Sequence, residues 1–251
     1  MATRALLYRR PAEPATLVVK HGSQYFAIRV RRHRRARRYT LRIHPSDREA
    51  ILTIPPRGTL AEAKDFAQRH GAWIAARLGR LPKAAPFQPG TVIPLRGTAH
   101  RIVHRAGTRG TVWTEVRDSG ERILCVAGGV EHVDRRVSDF LKREARHDLQ
   151  RSAEAYAVEL GVRVKRLSIR DQSSRWGSCT SAGSLSFSWR LILAPPYVLD
   201  YLAAHEVAHL VEMNHSARFW RVCGKACPSM ERAKKWLDTH GNDLHRYGVE
   251  D

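Results

Sequence analysis

Two short segments alternate apolar and polar residues with the two-residue period of a half-buried strand: Tyr25-Phe26-Ala27-Ile28-Arg29-Val30 and Tyr39-Thr40-Leu41-Arg42-Ile43. Ala50-Ile51-Leu52-Thr53-Ile54 predicts a third strand, stopped by Pro55-Pro56. Thr59 and Glu62 then form a capping-box signature, and Phe66, Trp73, Ile74 and Leu78 follow at helical spacing. Pro82 to Pro89 reads as a linker. Alternating pieces over Val92 to Val103, Thr111 to Val116 and Arg122 to Val126 predict further strands, which Gly128-Gly129 end.

The period changes after that. Val133, Val137, Phe140, Leu141, Leu149, Tyr156 and Leu160 keep helical spacing, so one long helix is expected from about Glu131 to Leu160, stopped by Gly161. Strands are expected over Val164 to Ile169 and Leu185 to Leu193, with a turn-rich stretch between them. Pro195-Pro196 starts another helix, since proline in a first helical turn lacks only an N–H that would be unpaired anyway. Two closing helices are expected, near Ala217 to Cys227 and from Ser229 to His240. No internal repeat is visible. The expected fold class is α+β: a flexible tail over 1–20, a basic β-rich subdomain with one helix over 21–129, and a helical zincin-like catalytic domain with a small sheet over 130–251.

Charge changes this picture. The chain of 251 residues has 44 Lys+Arg against 24 Asp+Glu, a formal net charge of +20. Residues 1–60 hold 14 basic and 3 acidic side chains, so over half of the excess sits in the first quarter. The run Arg31-Arg32-His33-Arg34-Arg35-Ala36-Arg37-Arg38 is its centre. It reads either as a solvated loop or as a surface for nucleic-acid phosphates. Four cysteines are too few for a disulfide framework, and no apolar stretch reaches the roughly 20 residues of a membrane span. A cytoplasmic protein is expected, with its oligomeric state left open.

The chemistry concentrates in His205-Glu206-Val207-Ala208-His209. Histidines at i and i+4 project from one helix face and can reach one metal ion. Glu206, about 100° further round the helix, can reach a metal-bound water without being a ligand. A catalytic zinc takes three protein ligands and keeps a fourth position open, and His215 is the third candidate. Six residues separate it from His209, so the helix must end and the chain reverse. Asn214 tolerates the left-handed conformation such reversals use, and Ser216 can cap the next helix. Apolar flanks, Tyr201 to Ala204 and Leu210-Val211, set the pair against a buried region.

With Arg175-Trp176-Gly177-Ser178-Cys179, Ser188-Trp189-Arg190-Leu191-Ile192, the His205 to His209 motif and Asn214-His215-Ser216 with Phe219-Trp220, the chain resembles the YgjP-like zinc metallopeptidases, relatives of the SprT-like and other minimal gluzincin-type peptidases. The likeness covers about residues 130 to 240, and the order of elements over 20–130 is similar too. It implies zinc on His205, His209 and His215, Glu206 as the catalytic residue, and a peptide or protein substrate. The three-His spacing equals that of the metzincins, but Glu212 stands where they carry glycine and no Met-turn follows.

Other residues keep plainer expectations. Trp176 reads as a core plug, and Ser184 to Ser188 as either a substrate-pairing edge strand or a core strand. Cys223 and Cys227 read as buried thiols, Phe219, Trp220, Trp236 and Leu237 as packing, and His240 and His245 as surface residues. Three functions follow: a zinc peptidase, a nucleic-acid-associated protease acting on DNA-bound proteins through Arg31 to Arg38, or a zinc-stabilised module without catalysis.

Overall fold

The alternating segments of the first eighty residues form strands, as the sequence predicts. In the computed structural model, which describes residues 15–172 and 174–249, the chain divides after Leu81 into two units. The first holds strands β1 (Thr16–His21), β2 (Gln24–Arg32), β3 (Thr40–His44) and β4 (Glu49–Ile54) in the order β1-β2-β4-β3. β2 and β4 are parallel, and the two outer strands are antiparallel to their neighbours. Helices α1 (Leu60–Arg69) and α2 (Gly71–Gly79) follow, and Val19, Ile28, Leu52, Ile54, Ala63 and Ile74 form one buried cluster.

Of the flexible tail expected over 1–20, Thr16 to Lys20 instead belong to a strand: Leu17-Val18-Val19 pair with β2 and Val19 is fully buried, while residues 1–14 lie outside the described ones. The single expected helix is two. Thr59 and Glu62 do form the capping box of α1, an arrangement that stabilises a helix start by about 1 kcal/mol. At His70, however, the ring Nδ1 bonds the Phe66 carbonyl at 2.8 Å, competing with the helical ladder, and Gly71 opens a new helix.

The second unit repeats this topology. β5 (Val92–Leu95), β6 (Thr98–Arg105), β7 (Val112–Val116) and β8 (Arg122–Ala127) lie in the order β5-β6-β8-β7, again with a parallel inner pair and antiparallel outer strands. The repeat escapes a search for similar residues because any apolar row serves: Ile28, Leu52 and Ile54 in one sheet, Ile102, Leu124 and Val126 in the other. The second sheet shares its core with α3 (Val133–Glu159) and the elements after it. The chain therefore divides after Leu81, not at the expected boundary of 129. The Pro82 to Pro89 stretch is anchored rather than free: Phe87 is buried, Ala85 N donates to Arg246 O at 2.9 Å, and Gly248 N donates to Ala85 O at 2.9 Å.

Beyond α3 come β9 (Arg166–Arg170), β10 (Gly177–Cys179) and β11 (Ser184–Ser188), a three-stranded sheet in the order β10-β11-β9. The strand expected to reach Leu193 stops at Ser188. Trp189–Leu193 are all buried and wind into a 3-10 turn instead. Arg190 in that turn is almost fully buried and bidentate to Asp171 (2.9 and 3.3 Å), and it donates to the Leu244 and Tyr247 carbonyls at 3.0 and 2.7 Å. It thereby fastens the C-terminal turn, Gly241–Arg246, to the rest of the unit.

Three helices complete the unit: α4 (Pro196–Ala208), α5 (Ala217–Ala226) and α6 (Met230–His240). α4 is largely buried, with Val198, Leu202, Ala203, Ala204, Val207 and Ala208 enclosed by its neighbours. The β5–β6 hairpin braces its start. Arg96 (φ 50°) and Gly97 (φ 73°) form the two-residue turn, a conformation suited to a tight hairpin, and their N–H groups donate to the Ile192 and Leu193 carbonyls at 2.7 and 3.2 Å. Among the described residues no helix is long and apolar enough to cross a membrane.

Candidate metal centre

The end of α4 does what the spacing of its histidines demands. The helix stops at Ala208 with His209 as its C-cap, and Leu210 N and Val211 N bond back to the Val207 and Ala208 carbonyls, turning the chain. The reversal does not use a left-handed Asn214; among non-glycine described residues only Arg48 and Arg96 have positive φ. Instead the Asn214 side-chain oxygen accepts from Ser216 N at 3.0 Å, closing a side-chain turn. Ser216 caps α5 as expected, accepting from Phe219 N at 3.2 Å.

This brings His205, His209 and His215 together, with ligating nitrogens all within 4.8 Å of one another. It is the one cluster of three or more His, Cys, Asp or Glu side chains with that closeness among the described residues. Nε2 of His215 lies 3.1 Å from Nε2 of His205. Each remaining contact orients a ring. Nδ1 of His209 faces the Glu212 carbonyl at 3.1 Å, which makes Nδ1 the protonated nitrogen and leaves the Nε2 lone pair free. Nδ1 of His205 faces the Tyr201 hydroxyl at 3.3 Å, one turn earlier on α4. His215 stacks on Trp220, and His209 on Phe219 at a centroid distance of 4.4 Å. Phe219 and Trp220, expected as simple packing, thus form the aromatic walls of the cluster. Burial, with the neighbouring His209 and His215 charges, pushes His205 down to about 4, and burial also lowers His209, so both rings are neutral near pH 7 and can ligate.

Glu206, next to His205 on α4, packs its carboxylate against Gly177 of β10. It is 4% exposed, and burial raises its carboxyl to about 8 while the Arg175 charge opposes the rise. Gly177 lies so close that any Cβ there would meet the Glu206 carboxylate. A cleft of about 330 Å³ opens over these groups, lined by Arg175, Trp176, Gly177, His205, Glu206 and Lys234 among others. Trp176 is half-buried at its wall, not simply a core plug. It stacks on His245 at 5.1 Å, and His245 is buried rather than on the surface; His240 is exposed as expected. No local signal in the sequence links Trp176 to His245. β11 pairs on both sides, so Ser184–Ser188 is the middle strand and β10, beside the cleft, is the edge. Cys223 and Cys227 are buried free thiols.

A family model described as YgjP-like, metallopeptidase domain, matches residues 37–240. No curated protein matches the chain. Among solved structures, the metallopeptidase zymogen abylysin of Pyrococcus abyssi is similar at 26% identity, covering 40% of this chain and 99% of that one, with a TM-score of 0.34. The family match spans well over half of the sequence and takes in the histidine cluster, Glu206 and the edge strand: the chain belongs to the YgjP-like metallopeptidase domain family.

Proposed function

We propose that this protein is a zinc peptidase of the cytoplasm, with His205, His209 and His215 holding the metal and Glu206 acting as general base. The observation that carries the reading is the meeting of three imidazoles, one of which, His205, lines an open cleft together with a buried carboxylate. The donor set fits zinc. Two nitrogens at the usual zinc distance of about 2.0–2.1 Å in a tetrahedral shell stand about 3.3 Å apart, close to the 3.1 Å between His205 and His215. No fourth His, Cys, Asp or Glu joins the cluster among the described residues, which favours a catalytic site over a zinc-stabilised module with a closed shell.

When bound, zinc supplies Lewis acidity, lowering the pKa of a coordinated water to about 7 and polarising the scissile carbonyl. The chain's own groups do the rest. Glu206 takes a proton from the attacking water and delivers it to the leaving amine. Its burial keeps competing solvent away and raises its hold on that proton. The free edge of β10 offers backbone N–H and C=O groups to an extended peptide by strand addition.

The experiment is Glu206→Gln, assayed on a quenched fluorescent peptide library with zinc content measured in parallel. Hydrolysis should fall by at least about a hundredfold while one zinc per chain is retained. Full activity in that variant contradicts the assignment of Glu206.

A further inference from the structure

Strand alternation gives the N-terminal sheet a second face. Ile28, Leu52 and Ile54 turn towards α1 and α2, so Arg29 and Arg31 of β2 turn the other way. The register sets Arg31 beside Thr53, itself beside Thr40 of β3, and in the next row it sets Arg29 beside Ile51 and Arg42. Arg31, Arg42 and Thr53, with His33, Arg37 and Arg38 of the β2–β3 connection, line a cleft of about 550 Å³.

Its charges are unbalanced. Arg29, outside the cleft, is neutralised by Asp47 at 3.2 Å and by Glu49. Arg31 donates through Nε to Thr53 Oγ1 at 3.2 Å, a neutral partner. Among the described residues, Arg31, Arg37, Arg38 and Arg42 have no carboxylate partner, and no Asp or Glu lines the cleft. Four guanidinium groups facing one cavity repel each other, and an anion placed between them relieves that repulsion. Guanidinium forks match phosphate oxygens bidentately.

We infer that this cleft binds the phosphodiester backbone of nucleic acid. Four cations and an opening of this size suit successive phosphates rather than one small anion. The lining has no large apolar side chain to enter a bilayer and no Phe, Tyr or Trp ring to stack on bases. Recognition is therefore of the backbone and independent of sequence. The site is also not the basic run as such: Arg34 and Arg35 are outside it, and Arg42, on β3, is inside. It uses none of the residues assigned to zinc chemistry.

The test is fluorescence anisotropy of the full chain with labelled DNA, as a duplex and as a single strand, over a series of KCl concentrations. Binding should weaken with salt, log K falling by about 0.7 to 0.9 per log[salt] for each phosphate contacted. R37A/R38A/R42A, all at exposed positions, should bind at least about tenfold more weakly at low salt and flatten that slope by about 2. R80A/R109A/R122A removes the same charge elsewhere from exposed positions and should stay within about twofold of the parent. Circular dichroism checks folding, and Arg37→Gln and Arg42→Gln read the same loss in smaller steps if the triple variant unfolds. Undetectable DNA binding at low salt, equal loss in both triple variants, or capture by phosphatidylserine vesicles or polyglutamate without DNA binding would overturn the inference.

Discussion

Gly177 of β10 and Glu206 of α4 are packed so closely that a Cβ on Gly177 would stand 2.4 Å from Oε1 and 2.7 Å from Cγ of the glutamate. The glycine is needed for space, since its φ is not in the left-handed region. It lets the edge strand and the carboxylate share one wall of the cleft.

Gly177→Ala therefore displaces Glu206 without touching a histidine. Peptide hydrolysis should fall by about a hundredfold or more, because small misplacements of a catalytic group are costly, while zinc stoichiometry stays at one. Kinetics and metal analysis on the same preparation check this, and unchanged kcat/KM would separate the two residues functionally.

In the proposed zinc site Tyr201 acts through His205. Its hydroxyl lies 3.3 Å from Nδ1, where it accepts the proton that keeps Nε2 available. Tyr201→Phe should weaken zinc affinity by about ten- to a hundredfold, read by competition with a chromogenic chelator. An unaltered affinity would leave Tyr201 with a packing role alone.

The motif itself was legible because its logic is local. Pro195-Pro196, the i, i+4 histidines and the Ser216 cap each act within a turn or two of chain, and the structure has all three. What the sequence misplaced depends on partners distant along the chain. Ser184–Ser188 and Gly177–Cys179 are both short strands, and only pairing with β9 decides which is the edge. His245 has nothing nearby to mark it as buried; it is held because Arg190 ties the C-terminal turn down. The division after Leu81 was hidden for the same reason, since β5–β8 look like the first four strands and differ in the core they join.

Arg96 links that second sheet to α3, with Nε and Nη2 on the two oxygens of Asp148 at 2.7 and 3.0 Å and Nη2 on Glu144 at 2.9 Å. Burial raises the Asp148 carboxyl, but the bonds from Arg96 and His147 outweigh it and hold its pKa below the ordinary value. A depressed carboxylate stabilises the fold above its unfolded pKa of about 3.9, and that contribution is lost as pH falls through the folded value. Asp148→Asn should thus be less stable than the parent by about 2 kcal/mol at neutral pH, with the gap closing below about pH 4. Urea denaturation across that range measures it, and a gap independent of pH would contradict the ion pair.

The central claim is a zinc ion on His205, His209 and His215 with room left for a reacting water. Crystals of the protein, with diffraction recorded on either side of the zinc absorption edge, test it most directly. The account predicts one anomalous peak within about 2.0–2.1 Å of a nitrogen from each of the three histidines, with no fourth protein ligand. A peak elsewhere, or a shell closed by a fourth side chain, would contradict it.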